Sequence, residues 1–287
     1  MIQECPVCGL GLAALTGRPA YGPSRLVKCP ECRSEFLSPQ PDDARLGAIY
    51  GPAYYEPWHW ERAAVVRAMK ARTFLRALAL LTLPAGSRVL DVGCAQGELA
   101  EVGVSLGMQV TGLDLNSKAI EVARARVPQA SFLCGELSPE RVGAGWDLVT
   151  MFDFIEHVRA PVGTLAAAAA ILAPHGRLLI STPRVGSGFH HVAGRAWPQY
   201  REEHLVLFSL EGMRVALARA GMNVVRVAPT TKYVSIAYLL GQASAFAPEP
   251  LRPLAQRSRR LVSAGPAHRV LPFRFGEMTV VASALRR

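Results

Sequence analysis

The sequence predicts an α/β protein with a doubly wound, mostly parallel sheet, preceded by a small metal-binding ribbon. Three observations favour this class. From residue 88 onward, short apolar runs alternate with helical patterns, which is typical of parallel sheets covered by helices. The first 32 residues contain two Cys-x-x-Cys pairs. The chain has 287 residues, enough for one large domain and a small accessory module.

Composition narrows the class further. Half of the residues are apolar and 19% are charged, which fits a globular protein with a sizeable core and excludes disordered, collagen-like and small disulfide-rich classes. No apolar run approaches the roughly 20 residues of a membrane span. The N-terminus lacks the pattern of a secretory signal. We therefore expect a cytoplasmic protein without a membrane partner, whose thiols stay reduced.

The net charge of +10 is unevenly distributed. Residues 1–60 carry five basic and six acidic side chains, a net charge of −1, whereas residues 250–287 carry eight basic and one acidic, a net charge of +7. Two interpretations of this basic segment stay open, a contact with phosphate groups or a solvated surface. Its eight arginines include Arg252, Arg257, Arg259, Arg260, Arg269 and Arg274.

The four N-terminal cysteines are predicted to bind one metal ion. Cys5 and Cys8 form one pair, and Cys29 and Cys32 form the second after twenty intervening residues. Two such turns supply the tetrahedral four-sulfur shell that zinc accepts, and the shell leaves no position for water. We therefore expect a structural Zn²⁺ in a ribbon module over residues 1–40, which is too short to fold without it.

Residues 41–87 are predicted to form a linker and a lead-in helix. The proline-rich run Phe36–Asp42 indicates an extended linker, and a helical pattern follows from about Glu61 to Leu81. Four aromatic side chains precede that helix, and they either form a lid over a ligand or pack against the domain: Tyr54, Tyr55, Trp58 and Trp60.

The elements of the predicted sheet domain, residues 88–287, follow in order. The expected strands are 88–92, 109–113, 131–134, 147–151, 177–181 and 223–227. The expected helices are 99–106, 117–126, 161–172 and 210–220. An apolar helix over 230–247 is expected within an insertion at about 230–270, either roofing a pocket or forming a dimer face.

A glycine-rich loop follows the first strand of this domain. It reads Asp91-Val-Gly93-Cys94-Ala95-Gln-Gly97, and the next strand ends at Asp114, 23 residues after Asp91. Glycines let the backbone approach a ligand, and an acid at the second strand end can accept the hydroxyls of a ribose. The loop lacks the G-x-G-x-x-G spacing of NAD-binding proteins.

These motifs, together with Cys134–Leu137, Trp146–Val158 and Leu172–Pro183, resemble in order the motifs of class I S-adenosylmethionine (SAM)-dependent methyltransferases. The cysteine pairs with the following F-x-x-P-x-P are similar to a bacterial subgroup that has an N-terminal zinc-binding module. The resemblance implies a seven-stranded Rossmann-like sheet whose last strand is antiparallel. Ala95 departs from the glycine that many members have, the mildest change possible.

The resemblance also implies roles for individual residues. Asp91 would pair with the ammonium group of SAM, Gly93 and Gly97 would admit its amino-acid end, and Asp114 would hold the ribose. Glu136 or a neighbouring N–H would read the adenine. The full set expected to bind the cofactor is Asp91, Gly93, Cys94, Ala95, Gly97, Asp114, Leu115, Glu136, Leu137, Phe152 and Asp153.

The candidate catalytic residues are Asp153, Glu156, His157 and His204. His157 or His204 could act as a general base towards an acceptor hydroxyl. Alternatively, Asp153-x-x-Glu156-His157 resembles the E-x-x-E-H motif of metal-dependent O-methyltransferases, which implies a catalytic divalent metal completed by a later histidine. The third alternative is a structural role in shaping the SAM pocket.

The sequence thus favours a SAM-dependent methyltransferase that acts on a small-molecule acceptor, at oxygen before nitrogen or carbon. One alternative is an RNA methyltransferase that uses the basic C-terminal segment, although the ribbon is near neutral and no basic-aromatic surface is evident. The other is a zinc-ribbon interaction protein with a non-catalytic SAM fold.

Overall fold

The structure is a computed structural model that describes residues 4–11, 17–50, 63–246 and 265–285. The chain divides into two compact units. The first comprises Met1–Pro41, Leu80–Thr230 and Gly276–Arg287, and the second comprises Asp42–Ala79 and Thr231–Phe275. The predicted aromatic lid and the predicted arginines 252–260 lie outside the described residues.

The strands are β1 Gly17–Pro19, β2 Arg25–Lys28, β3 Glu35–Ser38, β4 Arg88–Val92, β5 Gln109–Asp114, β6 Ser131–Cys134, β7 Trp146–Phe152, β8 Leu172–Val185, β9 Val206–Ser209, β10 Met222–Pro229, β11 Lys232–Ser235, β12 Val270–Phe273 and β13 Glu277–Ala284. The α-helices are α1 Asp43–Ile49, α2 Ala63–Leu78, α3 Glu98–Ser105, α4 Ser117–Arg126, α5 Pro139–Val142, α6 Pro161–Ile171, α7 Gly188–Ala193, α8 Leu210–Arg219 and α9 Ile236–Phe246.

The core sheet of the first unit has the order β6-β5-β4-β7-β8-β13-β10. Its first five strands are parallel, and β13 runs antiparallel to both β8 and β10. The predicted fold class, a doubly wound seven-stranded sheet with an antiparallel last strand, is therefore confirmed. In such sheets, ligands bind outside the carboxyl ends of the strands.

Local sequence explains why these elements form where they do. The middle of β7 and of β8, residues 148–151 and 178–180, is mostly apolar, as expected for strands that are covered on both faces, and Leu148 and Leu179 are completely buried. Helix α4 begins where the Asn116 side chain accepts the N–H groups of Lys118 and Ala119. Helix α6 begins with Pro161, whose missing N–H costs nothing at that position.

The cysteine-containing ribbon extends the core sheet. Strands β1, β2 and β3 form an antiparallel meander, and β3 pairs with β9, which itself pairs with β8. All four residues of β3 are buried. The interpretation of residues 36–42 as a linker is therefore wrong for 36–38, because the apolar pair Phe36-Leu37 forms part of a buried strand.

The second unit contains α1, α2, α9 and the antiparallel pair β11–β12. Helix α2 contacts β11 through side-chain acceptors: the N–H of Tyr233 donates to Thr73 Oγ1 at 2.9 Å, and the N–H of Ser235 contacts Met69 Sδ at 3.1 Å. The prediction of one helix over 230–247 is wrong at its start, because Lys232–Ser235 pairs with β12 before the helix begins. The proposed dimer face stays a prediction.

Several elements were not anticipated, namely the ribbon strands β1–β3, α1, α5, α7, β9, β11 and β12. Each is short, and only tertiary pairing stabilises a four-residue strand such as β9. Among the described residues, no helix is both long and apolar enough to cross a membrane.

Candidate cofactor and acceptor sites

The loop after β4 forms a tight left-handed turn at the carboxyl edge of the sheet. Gly93 and Gly97 have φ values of +78° and +81°, and Ala95 also has a positive φ of +45°. A Cβ atom at Gly93 would lie 2.6 Å from the Phe154 ring, so glycine is needed for space as well as conformation. The N–H groups of Gly93 and Cys94 donate to the Leu113 carbonyl at 2.8 and 3.1 Å.

The Asp114 carboxylate joins this loop to the end of β5. One oxygen accepts the N–H of Ala95 at 2.9 Å, and the other accepts the N–H of Asn116 at 2.9 Å. Asn116 in turn caps α4. Two backbone donors therefore fix the orientation of a charged acceptor at the edge where ligands bind in this fold.

Asp91 is a buried acid beneath the loop. It is 4% exposed, and the Thr150 hydroxyl donates to Oδ1 at 2.7 Å. The pKa of Asp91 is raised to about 7. Burial is the main cause and the neighbouring acids Glu98 and Asp114 add to it, whereas the hydrogen bond from Thr150 lowers the pKa. A carboxyl group held in this way is poised to ionise when a cation approaches.

The other residues expected to contact the cofactor differ in exposure. Cys94 is buried, and burial raises the pKa of its thiol, so it is an inert thiol. Leu137 and Phe152 are half-buried, whereas Glu136 is exposed and Leu115 is 67% exposed. Their roles stay predictions.

The end of β7 carries the predicted catalytic motif. Asp153 is exposed, has a φ of +47°, and its N–H donates to the Ser181 carbonyl at 2.8 Å. Glu156 is only 1% exposed, and the Thr182 hydroxyl donates to its Oε2 at 3.0 Å. A buried carboxylate at this edge is costly without partners, which marks it as a candidate functional group.

His157 meets His204, which lies 47 positions further along the chain. The ring centroids are 4.8 Å apart, in an edge-to-face arrangement. The Nδ1 atom of His157 lies 3.1 Å from the Glu203 carbonyl, and that of His204 lies 2.7 Å from the Gln199 carbonyl. Because a carbonyl only accepts, each Nδ1 carries the proton and each Nε2 carries the lone pair. Burial lowers the pKa of His157, so its imidazole stays neutral at pH 7.

Glu156, His157 and His204 offer ligand atoms that all lie within 4.8 Å of one another. Asp153, the first residue of the predicted motif, does not belong to this three-residue group. Two imidazoles and a carboxylate can serve either as a base with its supporting groups or as three metal ligands.

The four cysteines of the ribbon come together as predicted. The sulfur atoms of Cys5 and Cys32 are 3.7 Å apart and those of Cys8 and Cys29 are 3.6 Å apart. Four thiolates at zinc–sulfur distances of about 2.3 Å would have sulfurs about 3.8 Å apart, so the spacing fits a tetrahedral zinc and not a disulfide. A hydrogen bond from the Cys5 thiol lowers the pKa of Cys32 to about 5.

Sequence reasoning missed several residues that support the site, namely Asn116, Thr150, Thr182 and Glu203. A signal existed for two of them. Thr150 interrupts the apolar run of β7, and Asn116 stands where a helix N-cap is expected. The carbonyl of Glu203 carried no signal, because its role depends on chain folding alone.

Curated relatives match about a third of the chain. The ubiquinone biosynthesis O-methyltransferase of Xanthomonas axonopodis pv. citri is 39% identical over 106 residues, which are 34% of this chain and 44% of that protein. The protein of the same description from Albidiferax ferrireducens is 40% identical over 107 residues, 34% of this chain and 42% of that one. The chain thus spans less than half the length of these relatives.

Solved structures share the fold. A [4+2]-cyclase, SpnF, superposes with a TM-score of 0.56 at 18% identity, covering 87% of this chain and 99% of that one. The plantazolicin methyltransferase BamL, solved with a triazolic desmethylPZN analogue and SAH, gives a TM-score of 0.54 at 15% identity, covering 85% of this chain and 95% of that one. At these identities, the likeness shows the fold alone.

A family model described as "Methyltransferase domain" matches residues 59–227. This span is more than half of the chain, and it contains the glycine-rich loop, Asp114 and the Glu156–His157–His204 group. The predicted resemblance to class I SAM-dependent methyltransferases is confirmed, and the chain belongs to the methyltransferase domain family.

Proposed function

We propose that this protein transfers a methyl group from SAM to a small-molecule acceptor, with oxygen as the preferred acceptor atom. The observation that carries the proposal is the Asp114 carboxylate, which two backbone N–H groups hold at the cofactor edge of the sheet. The relatives named O-methyltransferases favour oxygen over nitrogen or carbon.

The residues around the loop suit SAM. The buried Asp91 lies near Glu98 and Asp114, and this concentration of negative charge fits a ligand with an ammonium and a sulfonium group. Gly93 and Gly97, with φ values of +78° and +81°, let the loop turn tightly at the edge of the sheet where the amino-acid end would bind. Asp114 would accept the ribose hydroxyls, and the loop around Glu136 would contact the adenine. When bound, SAM supplies an electrophilic methyl group.

On the acceptor side, His157 is the proposed general base. Its Nδ1–H donates to the Glu203 carbonyl, so Nε2 can receive the proton of an acceptor hydroxyl as the oxygen attacks the methyl carbon. The lowered pKa keeps the imidazole in its neutral, proton-accepting form. His204 and Glu156 would orient the acceptor beside it.

A catalytic divalent metal is the second candidate for this group, because Glu156, His157 and His204 converge. Two imidazoles and one carboxylate suit a transition metal such as Mn²⁺, Fe²⁺ or Zn²⁺ better than Mg²⁺, which prefers oxygen ligands. A bound metal would supply Lewis-acid activation of an acceptor hydroxyl. The carbonyl groups that hold each Nδ1–H are typical partners of metal-bound histidine.

The ribbon is proposed to hold a structural Zn²⁺ through Cys5, Cys8, Cys29 and Cys32. The RNA methyltransferase and the non-catalytic interaction protein are not favoured, because the relatives described above are named ubiquinone biosynthesis O-methyltransferases and the Asp114 carboxylate is held at the cofactor edge of the sheet. A cytoplasmic location stays an expectation.

The decisive experiment is calorimetric titration of the purified chain with SAM, followed by radiolabel transfer to a panel of phenols, catechols and amines and to bulk RNA. We expect saturable SAM binding and label transfer to hydroxyl acceptors. A chain that binds no SAM would refute the proposal. Transfer to RNA in place of small molecules would replace the acceptor class.

A further inference from the structure

The two cysteine turns of the ribbon form hydrogen bonds with opposite ends of α8. At its start, the Ser209 hydroxyl donates to the Cys32 carbonyl and accepts the N–H of Gly212, while the Ser209 N–H donates to Ser34 Oγ. At its other end, Arg219 Nη1 donates to the Val7 carbonyl at 2.8 Å. The helix therefore depends on the position of both turns, and each turn depends on the four thiolates.

The ribbon also holds the segment that leads into β9. Residues 186–209, which we call the acceptor-side segment, include α7, His204 and β9. The N–H of Leu37 donates to the Leu205 carbonyl at 3.0 Å, next to His204. Glu35 and Phe36 continue the pairing with Leu207 and Val206. The backbone that carries His204 is thus hydrogen-bonded to the strand that follows the second cysteine turn.

A directed chain of side-chain hydrogen bonds forms a second link. The N–H of Gly186 donates to His190 Nδ1, so the proton of this imidazole lies on Nε2. That Nε2–H donates to the Tyr200 hydroxyl at 2.9 Å, which donates to Glu35 Oε2 at 2.9 Å. Arg18 of β1 lies 4.3 Å above the Tyr200 ring centroid. Two ribbon strands therefore fix Tyr200 and, through it, the start of the acceptor-side segment.

The cofactor loop has different supports. Its hydrogen bonds run to Leu113, to Asp114 and, from Asp91, to Thr150 within the core sheet, and Arg126 of α4 donates to the Gln96 carbonyl at 3.0 Å. These supports lie on β5, β7 and α4, and among the described residues they include none of the ribbon.

From this difference we propose that the metal-loaded ribbon is a positioning element for the acceptor-side segment, with Ser209 and Glu35 as its positioning residues. Loss of the metal loosens residues 186–209, and with them His204, while the SAM loop keeps its geometry. The inference rests on the proposed zinc and acceptor roles, but the structural coupling can be measured without any acceptor.

The test compares hydrogen exchange of the full chain with bound zinc, after chelation, and as the Cys32→Ser variant. We expect amides in 186–209 to exchange at least about tenfold faster without zinc, and amides in 88–116 to be unchanged. SAM affinity by calorimetry should stay within about twofold. Unchanged protection in 186–209, equal losses in both segments, or absence of zinc from the untreated chain would overturn the proposal.

A second variant breaks the coupling without touching a cysteine. A Cβ atom at Gly212 would lie 1.9 Å from Ser34 Oγ, so Gly212→Ala must displace the Ser34 hydroxyl, which accepts the Ser209 N–H, and so weaken the contact between the second cysteine turn and the start of α8. We expect it to raise exchange in 186–209 with zinc still bound, and Ser34→Gly in the same chain to reverse part of the effect. Gly163→Ala in α6 is the matched control, because its Cβ would meet nothing within 4 Å. Equal exchange in Gly212→Ala and Gly163→Ala would contradict the coupling.

Discussion

The cofactor side and the acceptor side of the sheet edge are built in opposite ways. The cofactor side comes mainly from one stretch of about 25 residues, Asp91 to Asn116, whose carboxylates and N–H groups bond to each other. The acceptor side combines distant segments: Glu156 and His157 follow β7, and His204 precedes β9. Two further acids support it by accepting hydrogen bonds, Glu35 of the ribbon from Tyr200 and Glu277 of β13 from Gln199 Nε2 at 3.2 Å.

This difference indicates that cofactor binding and acceptor chemistry can change independently of each other. A local loop is recognisable from spacing and keeps its geometry as long as two adjacent strands stay paired. A site assembled from distant segments depends on every element that holds those segments, including the ribbon. Substitutions should therefore separate cofactor binding from acceptor chemistry.

We expect His157→Gln to separate turnover from SAM affinity more than any other substitution. Removing a general base or a metal ligand should lower turnover about 10²–10⁴-fold, while SAM affinity stays unchanged, because the cofactor loop makes no bond to His157 in the described structure. Steady-state kinetics and calorimetry measure the two effects. His175→Gln, at an exposed histidine, is the control.

Treatment with a chelator distinguishes the two proposed roles of His157, general base and metal ligand. Turnover that falls on chelation and returns with Mn²⁺ or Fe²⁺, at unchanged ribbon zinc, would favour the metal. Turnover of His157→Gln equal to the unsubstituted protein would dismiss both roles.

Asp114→Asn should weaken SAM binding and leave the groups of the acceptor side in place. Charge-assisted hydrogen bonds contribute about 1.5–3 kcal/mol, so loss of the charge should weaken SAM binding about 10- to 100-fold. Asp147→Asn is a matched control, because Asp147 also accepts a backbone N–H, that of Arg88 at 2.8 Å, but at the opposite edge of the sheet. Equal SAM affinity in the two variants would refute the ribose role.

Gly112→Ala tests the packing beneath the cofactor loop. A Cβ atom there would lie 2.7 Å from both Cys94 Sγ and Phe132 Cδ1, in the middle of buried β5. Such overpacking should reduce the free energy of unfolding by about 1–3 kcal/mol, as measured by chemical denaturation. Stability equal to that of Gly163→Ala would show that the loop has room to move.

The smallest effect concerns pH. The pKa of Asp91 is about 7, so the carboxyl group is mostly neutral at pH 6 and mostly ionised at pH 8. If it pairs with the SAM ammonium, affinity should rise with pH through this range, by at most about tenfold per unit, and Asp91→Asn should flatten the profile. Without SAM, the sign reverses: this raised pKa makes Asp91 stabilising at low pH, and its contribution declines as pH rises from about 4 to 7.

Much of the cofactor side could be predicted from the sequence. The spacing of Asp91, Gly93, Gly97 and Asp114 reflects a local requirement, a tight turn followed by an acid at the next strand end. The cysteine spacing likewise predicted the cluster, because each turn brings its own two sulfurs together. The acceptor side could be anticipated only in part, since the sequence made His157 and His204 candidates but did not show that their rings meet.

Two errors have the same origin. The run Phe36–Ser38 reads as a linker because prolines follow it, yet it forms a buried strand once β9 is beside it. Residues 232–235 read as helical, yet the pairing with β12 favours a strand. In both cases the partner lies far away in sequence, and pairing between distant strands outweighs local preference.

The sequence by itself determined the family, the order of the sheet elements, the cofactor loop and the two cysteine pairs, because each follows from short motifs at recognisable spacings. Only the tertiary structure decided that His204 meets His157 and Glu156, that Thr150 supports Asp91, and that the ribbon extends the core sheet and holds α8. Those contacts join segments separated by tens to hundreds of residues, and chain folding alone brings them together.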